Sequence, residues 1–145
     1  MNAVRKSVLL VEDDGFLRGD LAEALKTGGF VVVEAQDALE ALAIIRERGS
    51  SLDFLITDYQ LGDISGIHVA FEYRFQNPLR PIVFITGHDL PADIRRMSGV
   101  AYLRKPFAHD SLIAAMGSRE AADSNGDTIA GSVERALGGR GEAED

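Results

Sequence analysis

The 145-residue chain contains no cysteine. That excludes disulfides, thiol nucleophiles and thiolate metal sites, and it is compatible with a reducing cytoplasm. Long apolar runs are also missing. After Met1-Asn2-Ala3-Val4-Arg5-Lys6, only five residues, Ser7 to Val11, precede three acids. That is too short for a signal-peptide core or a membrane span. Basic residues are outnumbered, with 15 Lys and Arg against 23 Asp and Glu and a net charge of −8. Such a balance argues against nonspecific DNA binding. No internal repeat occurs at solenoid periods. The rest is ordinary for a globular protein, at 46% hydrophobic and 26% charged residues. The length suits one domain with a sizeable core.

Strand and helix signals alternate along this chain. Ser7-Val8-Leu9-Leu10-Val11 is an apolar, β-branched run that ends at Glu12-Asp13-Asp14. Leu17, Leu21, Ala24 and Leu25 follow helical spacing, stopped by Gly28-Gly29. Phe30 to Val33 is a second apolar run. Asp37 and Glu40 form a capping-box pattern ahead of the helical face Ala38, Ala41, Leu42 and Ile45, which Gly49 ends. Phe54-Leu55-Ile56-Thr57-Asp58 is a third strand, closed by the turn residues Gly62, Asp63, Ser65 and Gly66. Ile67, Ala70, Phe71 and Arg74 predict a third helix, ended by Asn77-Pro78. Pro81 to Thr86 is a fourth strand, with its proline at the start, where a missing donor is tolerated. Val100 to Leu103 is a fifth. Pro91 and Gly99 leave room between the last two strands for at most about two helical turns. This alternation predicts an α/β fold, a five-stranded parallel sheet with helices on both faces and a shortened fourth helix.

In open parallel sheets, ligands bind at the carboxyl ends of the strands. Glu12 and Asp13 end strand one, Asp58 ends strand three, Thr86 ends strand four, and Lys105 follows strand five. One such residue is easily chance; five on one rim are not. The adjacent acids read either as a solvated surface or as a divalent-cation site. Asp58 alone would serve equally as a cap.

The motifs Leu9-Leu10-Val11-Glu12-Asp13-Asp14, Leu55-Ile56-Thr57-Asp58, Ile85-Thr86-Gly87 and Tyr102-Leu103-Arg104-Lys105-Pro106-Phe107 occur in that order. In type, order and spacing, they resemble the receiver domain of two-component response regulators, over about residues 5–120. The resemblance implies a flavodoxin-like strand order, 2-1-3-4-5. It implies that Asp58 is the phosphoacceptor, and that Glu12, Asp13, Asp58 and the backbone carbonyl of Gln60 bind Mg²⁺. Thr86 and Lys105 would contact the phosphoryl group, Tyr102 would be the switch aromatic, and the Lys105–Pro106 bond would be cis. Gln60 and His88 hold positions that influence acyl-phosphate hydrolysis in the family. The chemistry agrees, because phosphoryl transfer rests on positioning and on neutralising the equatorial oxygens. A metal, an ammonium and a hydroxyl supply that here.

The resemblance further implies a cytoplasmic signalling phosphoacceptor rather than an enzyme, with only Mg²⁺-dependent self-phosphorylation and autodephosphorylation. The expected partners are a sensor histidine kinase or phosphotransfer protein and a downstream protein. A homodimer is compatible, whereas nucleic acid and membrane are not expected. Gly62 stands where the family often has proline, and Asp14 is an extra acid read as a surface or helix-start charge. Gly87 leaves room for an incoming phosphodonor. A flavodoxin-type ligand binder would want a phosphate-cradling loop after strand one, which Glu12-Asp13-Asp14 would repel. An aspartyl-phosphate hydrolase would carry a second Asp at the position of Gln60. A degenerate receiver would lack some of the five site residues. A fifth helix from Ser111 could run to Ala122. Residues 1–123 then form the receiver domain, and 124–145 a tail. In that tail Ile129, Val133 and Leu137 permit a short amphipathic helix before a glycine-rich acidic end. No stretch after the fifth helix is long enough for a helix-turn-helix DNA-binding domain.

Overall fold

The computed structural model of the protein describes residues 5–116. Its elements run β1 (Ser7–Val11), α1 (Gly15–Thr27), β2 (Val31–Ala35), α2 (Ala38–Arg48), a 3₁₀ turn (Gly49–Ser51), β3 (Phe54–Asp58), β4 (Gln60–Leu61), β5 (Ile64–Ser65), α3 (Gly66–Gln76), β6 (Ile82–Thr86), α4 (Ala92–Arg95) and β7 (Val100–Arg104). A helix, α5, follows over residues 109–116. Its expected continuation to Ala122 and the expected tail at 124–145 lie outside the described residues.

All five residues of β3 are buried, as are all five of β6. The strand order β2-β1-β3-β6-β7 explains this, because β3 lies at the centre and both sheet faces are covered. All four pairings in the sheet are parallel. The order is the expected 2-1-3-4-5 once the two-residue strands β4 and β5 are set aside. Alternation along each strand sends side chains to opposite faces. Leu9, Val11, Leu55, Ile82, Phe84 and Val100 meet α2 and α3 on one face. Val8, Leu10, Phe54, Ile56, Val83, Ile85, Ala101 and Leu103 meet α1 and α5 on the other.

Local signals act largely as expected. Asp37 caps α2 by accepting from the Glu40 N–H at 2.8 Å. The return arm of the box goes one residue further back, from the Gln36 N–H to Glu40 Oε1 at 2.8 Å. α4 is one turn, shorter than the two-turn ceiling, between Pro91 and the positive-φ Gly99.

Three features differ from the sequence reading. The second strand is Val31–Ala35, shifted towards the acidic rim from the expected 30–33, because its pairing register with β1 ends at Val11 and Ala35. Residues 60–65 form an antiparallel hairpin, β4 with β5, where only turn residues were expected. Gly62, at φ 73°, supplies its tight reversal. The buried face of α3 is Val69, Ala70 and Tyr73, while Phe71 is 54% exposed. Tyr73 reaches the core because its hydroxyl donates to the Leu52 carbonyl at 2.8 Å.

Candidate functional site

At the end of β1, Glu12 is fully buried. Its backbone N–H donates to the Ala35 carbonyl of β2 at 3.1 Å. Its Oε2 accepts from the Asp14 N–H at 3.0 Å. Asp14 serves as the helix-start charge expected of it. Its Oδ1 accepts from the N–H groups of Phe16 and Leu17 at 2.9 and 3.2 Å, capping α1. That leaves Glu12 and the exposed Asp13 to face the rim.

Asp58, at the end of β3, is also buried. Its Oδ1 accepts from the Gln60 N–H at 3.1 Å, and its Oδ2 from Lys105 Nζ at 2.8 Å. The same ammonium lies 3.0 Å from Glu12 Oε1 as an ion pair. That oxygen nevertheless has no hydrogen-bond partner. Burial pushes the Glu12 carboxyl above the ordinary range, against the Asp14 N–H and Lys105, which pull it down. Burial works in the other direction on Lys105 and favours the neutral amine. Its contacts with Asp58 and Glu12 outweigh that and raise its pKa.

Lys105 is brought to the rim by β7, and its backbone N–H donates to the Thr86 carbonyl at 2.7 Å. The Lys105–Pro106 bond is cis, as expected. Thr86 is buried at the end of β6. Its hydroxyl donates to the His88 carbonyl at 2.8 Å and accepts from the His88 N–H at 3.1 Å. In this structure it therefore lies against the following loop. Tyr102 pairs in register with Phe84 and is partly buried against the α2–α3 face of the sheet. Because Thr86 and Phe84 are two residues apart, they share that face with Tyr102. The His88 side chain is exposed, and a Cβ at Gly87 would meet no atom within 4 Å, which agrees with room beside Thr86.

Oxygen atoms of Glu12, Asp13 and Asp58 all lie within 4.8 Å of one another. This donor set consists of hard oxygens, and its buried member Glu12 Oε1 is held by the Lys105 ion pair but by no well-aligned hydrogen bond. Both features fit Mg²⁺. Gln60 is two residues past Asp58, where its carbonyl belongs to the same loop.

The sequence reading missed Arg18. It projects back from α1, and its Nη1 donates to the Glu12 carbonyl at 2.8 Å. Its Nε reaches Glu34 Oε1, beside the end of β2, at 3.3 Å. The guanidinium thus ties the acidic loop to the neighbouring strand. The only hint in the sequence is a cation four residues after Asp14 on a helix start.

Residues 8–117 match the family model described as the response regulator receiver domain. The chain belongs to that family. The receiver is 36% identical over 118 residues to the transcriptional regulatory protein PdtaR of Mycobacterium tuberculosis, covering 79% of this chain and 56% of PdtaR. It is 32% identical over 113 residues to the sensor kinase CckA of Brucella abortus, covering 73% of this chain and 12% of CckA. The chain therefore matches only part of each of these relatives. Among solved structures, a response regulator receiver protein from Sinorhizobium medicae superposes with a TM-score of 0.74 at 27% identity, over 82% of this chain and 97% of that one.

Proposed function

We propose that this receiver accepts a phosphoryl group on Asp58 from a sensor histidine kinase or phosphotransfer protein and thereby changes its binding to a downstream protein. The observation that carries the reading is the Lys105 ammonium held 2.8 Å from Asp58 and 3.0 Å from Glu12, with a third acid alongside. The P–N bond of a phosphohistidine donor breaks as an O–P bond forms on the Asp58 carboxylate, and the donor imidazole leaves. Lys105 pairs with one equatorial oxygen, and the Thr86 hydroxyl donates to another. Glu12, Asp13, Asp58 and the Gln60 carbonyl hold Mg²⁺, which when bound neutralises charge on the phosphoryl group.

Thr86 must leave His88 to reach the phosphoryl oxygen, and Tyr102, on the same sheet face, then moves into the space vacated. That switch needs two states separated by only a few kcal/mol. Gln60 and His88 border the site and influence the lifetime of the acyl phosphate. The setting in this reading is cytoplasmic; among the described residues, no helix is long and apolar enough to cross a membrane. The test is incubation with Mg²⁺ and a small phosphoramidate donor, followed by mapping of the label. Label on Asp58, absent in Asp58→Asn, is expected. Label retained in Asp58→Asn would overturn the assignment.

A further inference from the structure

Gly66, the first residue of α3, is buried directly behind Asp58. A Cβ built there would collide with the Asp58 carbonyl oxygen and lie 3.0 Å from the Asp58 carbonyl carbon and 3.1 Å from Tyr59 Cα. All three are backbone atoms, so no side-chain rotation relieves the overlap. The close approach is fastened on both sides. The Gly66 N–H donates to the Tyr59 carbonyl at 2.6 Å, and the Ser65 hydroxyl donates to the same carbonyl at 3.2 Å. On the far side, the Tyr59 N–H donates to the Ile85 carbonyl of β6 at 2.9 Å. Tyr59 is therefore clamped by its N–H to the sheet and by its carbonyl to the start of α3, and the Asp58 carbonyl is held beside Gly66. The Asp58 carboxylate meets Gln60 on one oxygen and Lys105 on the other.

We infer that Gly66 is a positioning residue for the Asp58 carboxylate: its missing side chain lets α3 seat the Asp58 backbone where the carboxylate meets both Lys105 and the acids of β1. The requirement is not one of backbone angle, since Gly66 is not among the positive-φ glycines. It is one of volume at a single atom. An added methyl must push the Asp58 carbonyl away, and the carboxylate turns with it. A displacement of about 1 Å at a reacting group can cost about a hundredfold in rate.

This inference rests on the proposed role of Asp58, and its test separates the two. All variants are made in a full-length Gly19→Ala background. Gly19 lies exposed in α1 with no atom within 4 Å of an added Cβ. That substitution strengthens the helix and keeps weakened variants folded. Ala70→Gly, one turn further along the buried face of the same α3, serves as the destabilised control that adds no atom beside Asp58. Three quantities are read: labelling rate from a small phosphoramidate, Mg²⁺ affinity by calorimetry, and the metal-free amide resonance of Gln60, whose N–H bonds Asp58. Gly66→Ala is expected to label about a hundredfold more slowly, bind Mg²⁺ more weakly and shift the Gln60 resonance. Ala70→Gly is expected to lose thermal stability and keep all three. Gly66→Ala labelling within threefold of its background, with Gln60 unmoved, overturns the positioning role. Equal losses in Ala70→Gly overturn it too, since general destabilisation would then explain them. A background protein that takes no label on Asp58 overturns the underlying reading instead.

Discussion

Replacing Lys105 by Met removes the ammonium from between two buried carboxylates while keeping most of the aliphatic stem. Nζ lies 2.8 Å from Asp58 and 3.0 Å from Glu12. At an effective dielectric near 20, each contact is worth about 5–6 kcal/mol before desolvation is counted. Much of that is offset by burying the charges. Removing one partner and leaving the others behind costs about 3–5 kcal/mol. Lys105 retains 27% side-chain exposure, so water screens it and the low end applies. In chelator at pH 7.5, urea unfolding of Lys105→Met should therefore show a loss of about 3 kcal/mol, on the order of 10 °C in Tm. Mg²⁺ should reverse the order of effects. In the wild type the ion competes with the ammonium for the same oxygens, whereas the variant presents them bare. The variant is expected to bind Mg²⁺ about tenfold more tightly, which corresponds to about 1.4 kcal/mol. Saturating Mg²⁺ then stabilises it by a larger increment than it does the wild type. Equal stability in chelator together with equal Mg²⁺ affinity would refute the argument, because the ammonium would then be solvated rather than paired.

Glu12 gives a pH prediction for the chelated protein. Its folded-state pKa lies above the unfolded value, so between the two the folded state holds the extra proton. Stability should therefore decline as pH rises from about 4.5 through the folded pKa, and Glu12→Gln should remove that component from paired urea titrations. Thr86→Ala takes away the hydroxyl that now bonds to His88. If Thr86 transmits the signal, a phosphate analogue should alter amide exchange across 88–100 in the wild type and much less in the variant, and identical changes would exclude it. Tyr73→Phe should cost only about 1 kcal/mol by thermal unfolding. The Leu52 carbonyl it leaves behind still accepts from Arg80 Nη1 at 3.0 Å.

Legible in the sequence was whatever a local pattern encodes. The runs 7–11, 54–58 and 82–86 are apolar because their strands are covered on both faces, and that alone identifies the sheet. The rim residues were legible because a strand end is a position in sequence as well as in space. Asp14 was legible as a helix-start charge, though not as the cap it forms. Tyr73 was not, because its hydroxyl is satisfied by a carbonyl 21 residues away. Arg18 was hidden because its partners, Glu12 and Glu34, come together only when β1 and β2 pair. The α3 face was misjudged because Phe71 is apolar yet exposed, while a tyrosine takes the inward position. The hairpin at 60–65 spans too few residues to show alternation.

The strand order also dictates when the site becomes whole during synthesis. By Asp58 the chain has made β2, β1 and β3, three contiguous strands of the sheet, and with them all three acids. The cation that offsets them is Lys105, 47 residues later. A nascent chain emerging in that order gathers the three carboxylates before it has made the lysine that sits among them. Their repulsion opposes docking of β1 against β3 at the rim until a divalent cation or the lysine after β7 offsets it. The last strand thus completes a charge balance that the first three leave open.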